Sequence, residues 1–266
     1  MCDIPLRREI LVGLLLAIFS IPVGACAQES SGGGDENRYE YTRTNRDGIG
    51  KIYMDREISH VMGHRGAGWL ERPERREEER TDLLLENLPI EVGDAVADLG
   101  AGTGYFSLPM ARLVGDTGTV YAVDIQSEML AIIVDRAASE GITNIETILA
   151  TEKVPGLRDE SIDMVLLVDA YHEFEWPWEV MSAIYESLIP GGKVVLIEYR
   201  AEDRRVPIKR LHKMSERQAR AELEAVGLRF VENGDFLPQQ HFLVFEKPLG
   251  QPIGGDRDRQ GPVGQD

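Results

Sequence analysis

Between residues 95 and 247, short apolar runs alternate with stretches in which apolar side chains recur every three or four positions. The runs are AVADL (95–99), TVYAVD (119–124), IETIL (145–149), IDMVLLVD (162–169) and KVVLIEY (193–199). Their near-continuous Val, Ile and Leu content is that of strands buried on both faces. Helical spacing predicts helices over 104–114, 127–140, 177–188 and 215–226. Ser127 and Ser215 stand at N-cap positions, and Gln218 three residues after Ser215 completes a capping box. Gly115, Gly141 and Gly227 sit where helices should stop. Alternating strand and helix predicts a parallel sheet covered on both faces.

The end of this region breaks the rhythm. LRFVE (228–232) and HFLVFEK (241–247) are both strand-like, yet only the eight residues NGDFLPQQ separate them. A parallel crossover needs about a dozen residues or more, so the last strand must run antiparallel to its neighbour. The globular domain is expected over 51–247, with a helical cap at 51–90, of which 52–76 could fold over a ligand as a lid. The polar, glycine-rich 28–50 reads as a tether, and the Pro/Gly/Asp/Gln-rich 248–266 as a disordered tail.

At the N-terminus, Arg7 and Arg8 precede ILVGLLLAIFSI (10–21), which Pro22 ends. Twelve apolar residues fall short of the roughly 20 that span a bilayer and suit a signal-peptide core. Residues 1–27 are therefore read as a leader with two exits. Ala25-Cys26-Ala27 is a plain cleavage site, while Val23-Gly24-Ala25-Cys26 resembles a lipobox in which Cys26 carries lipid. The expectation is an exported protein, secreted, periplasmic or membrane-anchored, that meets the membrane only through an N-terminal lipid.

Composition narrows the chemistry. A net charge of −17 over 266 residues argues against binding driven by counterion release from phosphate backbones, so no nucleic-acid partner is expected. Cysteine occurs only at 2 and 26, which leaves the domain without a disulfide framework, a thiol nucleophile or thiolate metal ligands.

The candidate chemistry gathers at VADLGAGTGYF (96–106). Gly100, Gly102 and Gly104 follow the first strand, and Tyr105 stands where a dinucleotide fingerprint needs its third glycine. No P-loop lysine follows. The bend instead offers backbone room, Asp98, and helix N–H groups, which suit the ammonium and carboxylate of an amino acid. Asp124 ends the second strand, where an acid can hold a ribose diol.

An amino acid at one end and a ribose at the other describes S-adenosylmethionine. VADLGAGTGYF with AVDI resembles the D-x-G-x-G-x-G loop and following acid of class I S-adenosylmethionine-dependent methyltransferases, over about 95–247. The resemblance implies a Rossmann-like three-layer αβα sandwich on a seven-stranded, mostly parallel sheet with an antiparallel last strand. It places Gly100, Ala101, Gly102 and Gly104 along the methionine moiety, Asp98 near its amino group, Asp124 on the ribose and Ile125 against the adenine. The adenine-side loop ATEK carries Ala150 and Thr151 where an Asp is common, with Glu152 as its substitute.

The segment DAYHEFEWP (169–177) faces methyl group and acceptor in that family. Asp169 lies at the sheet edge beside the donor. His172 is the candidate general base, with Glu173 next to it. The expected activity is methyl transfer to a small-molecule acceptor; a non-catalytic donor-binding protein and an NAD-linked oxidoreductase are the alternatives. The basic insert 199–214, with Arg200, Lys209 and His212, suggests an anionic acceptor. His60 and His64 make half a metal site that no neighbouring acid or cysteine completes, so no metal is expected. Trp69, Glu71 and Arg72 read as packing of the covering segment, and RPERREEER (72–80) as a solvated face.

Overall fold

The computed structural model describes residues 38–250. The leader with its Cys26 exits, residues 28–37 of the tether and nearly all of the tail lie outside these residues. The chain enters in β1 (Tyr39–Tyr41), β2 (Gly48–Tyr53) and β3 (Arg56–Ser59), an antiparallel sheet in that order. Residues 38–50 are thus not a tether throughout, and 51–59 are not helical. Met54 and Asp55 join β2 to β3 with φ of 47° and 67°, the both-positive pattern of a two-residue hairpin turn. Neither is the Asn-Gly pair that usually announces such a turn. The hairpin holds because Tyr39, Tyr53 and Ile58 gather on Trp176 and Trp178, more than a hundred residues downstream.

Three short helices follow, α1 (Ala67–Leu70), α2 (Arg75–Glu79) and α3 (Thr81–Glu86), so the helical cap is confined to 67–86. The α/β body then runs β4 (Ala95–Leu99), α4 (Ser107–Val114), β5 (Thr119–Asp124), α5 (Ser127–Glu140), β6 (Ile145–Leu149), β7 (Ile162–Val168), α6 (Pro177–Ser187) and β8 (Leu188–Tyr199). It closes with α7 (Glu216–Ala225), β9 (Arg229–Gly234) and β10 (Gln240–Glu246). The sheet order is β6-β5-β4-β7-β8-β10-β9. β10 pairs antiparallel with both β8 and β9, inserting between them. The expected three-layer sandwich with its antiparallel last strand is therefore present. One face packs Leu99, Val165, Leu167 and Leu196 under α6 and α7. The other packs Val96, Val120, Met164 and Val195 under α3 and α4.

Local signals are mixed in outcome. Ser215 Oγ accepts from Gln218 N–H at 3.1 Å, as the capping box requires. Ser127 does not cap; Gln126 occupies that position and the serine bonds Glu128. α4 begins at Ser107, not 104, because Gly104 has φ +77°. Among the described residues no helix is long and apolar enough to cross a membrane.

The run 72–80 is a solvated face only in part: Pro73, Glu74, Arg76, Glu77 and Glu78 are exposed. Arg75 and Glu79 are buried, and Glu79 accepts from Arg72 Nη2 (2.5 Å), Arg75 Nε (2.9 Å) and the Tyr199 hydroxyl (2.9 Å). Burial opposes charge on Glu79, but the two guanidinium groups and the phenol hold its carboxyl below the usual glutamate value. The network ties the cap to β8. Glu79→Ala leaves two arginines facing an empty acceptor, one of them buried, and removing one partner of such a pair costs about 3–5 kcal/mol. Urea unfolding at neutral pH should show a loss of that order, shrinking as pH falls and Glu79 protonates in the parent.

Candidate functional site

The site starts at the bend after β4. Gly100 has φ +78° and Gly102 φ +55°, a region that costs other residues about 1–2 kcal/mol. Space excludes a side chain as well. A Cβ on Gly100 would stand 2.7 Å from Ala170 Cβ, and one on Gly102 would stand 2.7 Å from Leu70 Cδ1. Both Gly100 and Ala101 N–H groups reach back to the Val123 carbonyl. Asp124 then fastens the bend to the next strand. Its Oδ2 accepts from Gly102 N–H and its Oδ1 from Gln126 N–H, each at 2.9 Å.

These loops frame a cleft of about 260 Å³ at the carboxyl edge of β4, β5 and β7. Gly100, Gly102, Asp124, Ile125, Thr151, Glu152, Asp169 and Glu173 all line it. The segment 61–70 crosses its mouth, contributing Val61, Met62 and Leu70. It is pinned by His64 N–H to Gln126 Oε1 (2.7 Å), Gln126 Nε2 to the Met62 carbonyl (3.1 Å) and Met62 N–H to Glu173 Oε2 (3.1 Å). Glu71 adds bonds from Thr103 and Arg136. Gln126, Met129 and Phe174 also line the cleft and were not anticipated. Gln126 directly follows the Asp124-Ile125 pair, and that adjacency was the available signal.

Four anticipated residues do not line the cleft. Asp98 is buried and accepts from Ser107 Oγ at 2.6 Å, so its carboxylate serves the start of α4. Ala101 packs in a core cluster with Leu130 and Ile133. The space a side chain on Gly104 would need is taken by Leu108 and Ile133, which makes that glycine a helix-packing position. His172 is 2 % exposed and belongs to a separate polar cluster. The Thr151 hydroxyl is occupied by the Val154 N–H at 3.0 Å and turns its own loop.

The basic insert does not reach the cleft either. Arg200 pairs with Asp235 and Lys209 with Asp47. The cleft wall carries Asp124, Glu152, Asp169, Glu173 and Glu175 and no basic side chain. Arg200, Lys209 and His212 contribute nothing to that wall. His60 and His64 share no helix: His60 meets the Asn45 carbonyl and His64 faces Glu128.

Burial raises the acids around the cleft. Burial, with the neighbouring Asp124 carboxylate adding to it, pushes Asp98 up to about 6 against its Ser107 bond. Asp124 and Glu173 are also raised by burial. Asp169 lies well above the carboxylate range through burial and the nearby Glu79 and Glu198 charges. Its backbone is unusual, with φ +49°. Oδ2 accepts from Gln240 Nε2 at 2.6 Å, whereas Oδ1 is buried without a partner among the described residues.

Beside the cleft, His172 Nδ1 meets Glu198 Oε2 at 2.6 Å and Nε2 meets His212 Nδ1 at 3.1 Å. Burial opposes charge on His172, but Glu198 outweighs it and its pKa is raised. Burial and His172 push His212 down to about 4. His172 is therefore held by Glu198 and is not free to face an acceptor directly.

The comparisons agree with this geometry. Residues 96–192 match the family described as "Methyltransferase domain". That match runs from β4 into β8, the part of the fold that carries the glycine bend and the cleft. A ubiquinone/menaquinone biosynthesis C-methyltransferase of Haemophilus ducreyi is 32 % identical over 108 residues, which is 40 % of this chain and 42 % of that protein. The enzyme of the same name from Pseudomonas putida is 32 % identical over 119 residues, 44 % and 46 %. The chain thus spans under half the length of these relatives. Among solved structures, an Aquifex aeolicus S-adenosylmethionine-dependent methyltransferase superposes with TM-score 0.66 at 22 % identity, covering 70 % of this chain and 99 % of that one. A protein named as the [4+2]-cyclase SpnF superposes at 0.54 with 18 % identity, covering 64 % and 80 %.

Two consequences are measurable. Gly102→Ala adds left-handed strain of about 1–2 kcal/mol and drives a methyl into Leu70; denaturant unfolding should show at least that loss. Asp98→Asn keeps an acceptor for Ser107 and removes a carboxyl whose proton the folded state holds more tightly than the unfolded state. The parent therefore loses stability as pH rises from about 3.8 to about 6, and the variant does not. Melting profiles should converge near pH 3.5 and separate above pH 6, the variant gaining by as much as roughly 3 kcal/mol.

Proposed function

We propose that the protein transfers a methyl group from S-adenosylmethionine to a small, uncharged or cationic acceptor. The observation that carries this reading is the cleft itself: a glycine bend closed by Asp124, with Asp169 on its wall and a segment across its mouth. The residues fit the donor. Gly100 and Gly102 line the cleft with backbone alone, Asp124 and Ile125 stand where ribose and adenine would lie, and Glu152 borders the adenine side. Asp169 Oδ1 takes the place first expected for Asp98, accepting from the donor ammonium. When bound, the donor supplies an electrophilic methyl carbon on a sulfonium centre.

What the protein supplies is position. The covering segment excludes water and leaves room for a small acceptor rather than a macromolecular surface. Alignment of acceptor, carbon and sulfur provides most of the acceleration by proximity. Glu173 is the acid on the acceptor side that lines the cleft, and His172 acts on it from behind, 3.8 Å from its Oε1. The wall of carboxylates favours a cationic donor over its neutral demethylated product, which helps release. The relatives methylate carbon in quinone biosynthesis by name; an acidic carbon or a hydroxyl on a neutral ring system is the acceptor class that combines with this cleft. The cyclase among the fold neighbours is a reason to measure turnover as well as binding. An NAD-linked reaction is opposed by Tyr105 and by the inserted antiparallel β10.

Calorimetry should show S-adenosylmethionine and S-adenosylhomocysteine binding and no binding of NAD. Asp169→Asn keeps one hydrogen-bonding oxygen for Gln240 and removes the charge, so donor affinity should fall about tenfold or more, the value of a charged hydrogen bond. Equal affinity for parent and variant would remove Asp169 from the donor site; absence of donor binding in the parent would end the reading.

A further inference from the structure

We propose that His172, Glu173 and His212 form a binding site for one divalent transition-metal ion beside the cleft. His172 Nε2, His212 Nδ1 and Glu173 Oε1 converge from three directions, at separations of 3.1, 3.8 and 3.6 Å. A single point lies about 2.0 Å from all three atoms, the length of a metal–imidazole or metal–carboxylate bond. The set is two imidazoles and one carboxylate on two separate turns, 171–173 and 210–212. β8 places Glu198 behind them.

Glu198 makes the arrangement more than a coincidence of neighbours. Its Oε2 takes the Nδ1 edge of His172 at 2.6 Å and its Oε1 takes the His172 backbone N–H at 3.1 Å. A carboxylate on the far nitrogen of a ligating histidine fixes the tautomer and turns the free lone pair toward the ion. Glu198 is fully buried, whereas the Glu173 side chain keeps 15 % of its surface exposed. The guanidinium of Arg56 approaches the same turn, bonding the His172 carbonyl at 3.1 Å, but it is spent on Glu222 at 2.7 and 2.8 Å. Two carboxylates, one of them fully buried, are thus left facing two imidazoles, and a dication balances them.

Imidazole and carboxylate donors suit zinc, iron(II), cobalt or nickel rather than calcium or magnesium. Three protein ligands leave at least one coordination position open. Glu173 is the ligand that also lines the cleft, so the open position serves an oxygen or nitrogen donor of a molecule bound there. The site stands on its own residues and does not require that the protein transfer methyl groups.

Full-chain protein stripped with EDTA should bind Zn²⁺ with one-to-one stoichiometry by calorimetry. Co²⁺ should give the visible d–d bands of a four- or five-coordinate nitrogen and oxygen site, without the near-ultraviolet thiolate band that Cys2 or Cys26 would produce. His212→Ala and Glu173→Gln remove partly accessible ligands and should weaken Zn²⁺ binding about 100-fold or more. Glu198→Gln should weaken it about 10- to 100-fold. His64→Ala, which alters a surface histidine facing Glu128, should change nothing. Metal-free melting temperatures of the His212 and Glu173 variants close to the parent's establish that folding is not the cause. The proposal is overturned by absence of one-to-one binding, by equal affinity in the His212 and Glu173 variants, or by a thiolate band. S-adenosylmethionine titration of the same samples reads the donor site separately, so failure of one assignment leaves the other measured.

Discussion

The Asp124 carboxylate holds the site together. Its two oxygens take the Gly102 and Gln126 N–H groups, and from there the connections spread outward. Gly102 fixes the glycine bend, and Gln126 clamps His64 and Met62 of the covering segment through its own side chain. Met62 in turn donates to Glu173. One buried acid at a strand end therefore sets the floor of the cleft, the position of its cover and, through two more bonds, the acid opposite. The β5 register with β4 delivers Asp124 one residue beyond Val123, whose carbonyl already holds Gly100 and Ala101. Sheet geometry and site geometry are the same constraint.

That acid is not alone, and the accumulation has an electrostatic meaning. Asp98, Asp124, Asp169 and Glu173 are all raised above ordinary carboxylate values, burial being the largest cause in each. Each is a group the fold would hold more easily uncharged, and together they are uncompensated by any basic side chain on the cleft wall. Stability is given up locally where a ligand restores it. A ligand bearing both ammonium and sulfonium would restore it in two places, and a ligand that loses its sulfonium charge would hold less tightly. On the proposed function, the same electrostatics that draw in the donor loosen the spent product.

What the sequence disclosed follows from how local each signal is. Strands of β4, β5 and β7 are legible because burial on both faces forces a continuous apolar run, which sequence displays directly. The inserted antiparallel strand was legible because eight residues cannot make a crossover. Asp124 was legible by its place at a strand end. The β1–β3 hairpin was not, since its turn is Met54-Asp55 and its apolar face is completed by Trp176 and Trp178. Arg75 and Glu79 look solvated in sequence because charge alternates at helical spacing; only the Tyr199 hydroxyl and Arg72 reveal a buried acceptor. Asp98 shows the same difficulty from the other side. Its position in the motif is clear, yet its carboxylate is taken by the Ser107 hydroxyl at the start of α4, nine residues on.

His172 is where motif and geometry part most usefully. Its sequence context made it a base facing an acceptor, but Glu198 on β8 consumes one ring nitrogen and directs the other toward His212 and Glu173. A histidine held this way has a single working edge. Whatever that edge holds, a proton or an ion, is shared with Glu173, the cluster's member on the cleft wall. Glu198 and His172 are separated by 26 positions and His212 by 40 from His172, so no motif could have joined them. It takes the end of β8 and the turn at 210–212, returned to the sheet by the Met214 N–H on the Tyr199 carbonyl, to place the second imidazole. On the proposed function, the chemistry of the acceptor side passes through Glu173, and its character is decided by what the two histidines hold behind it.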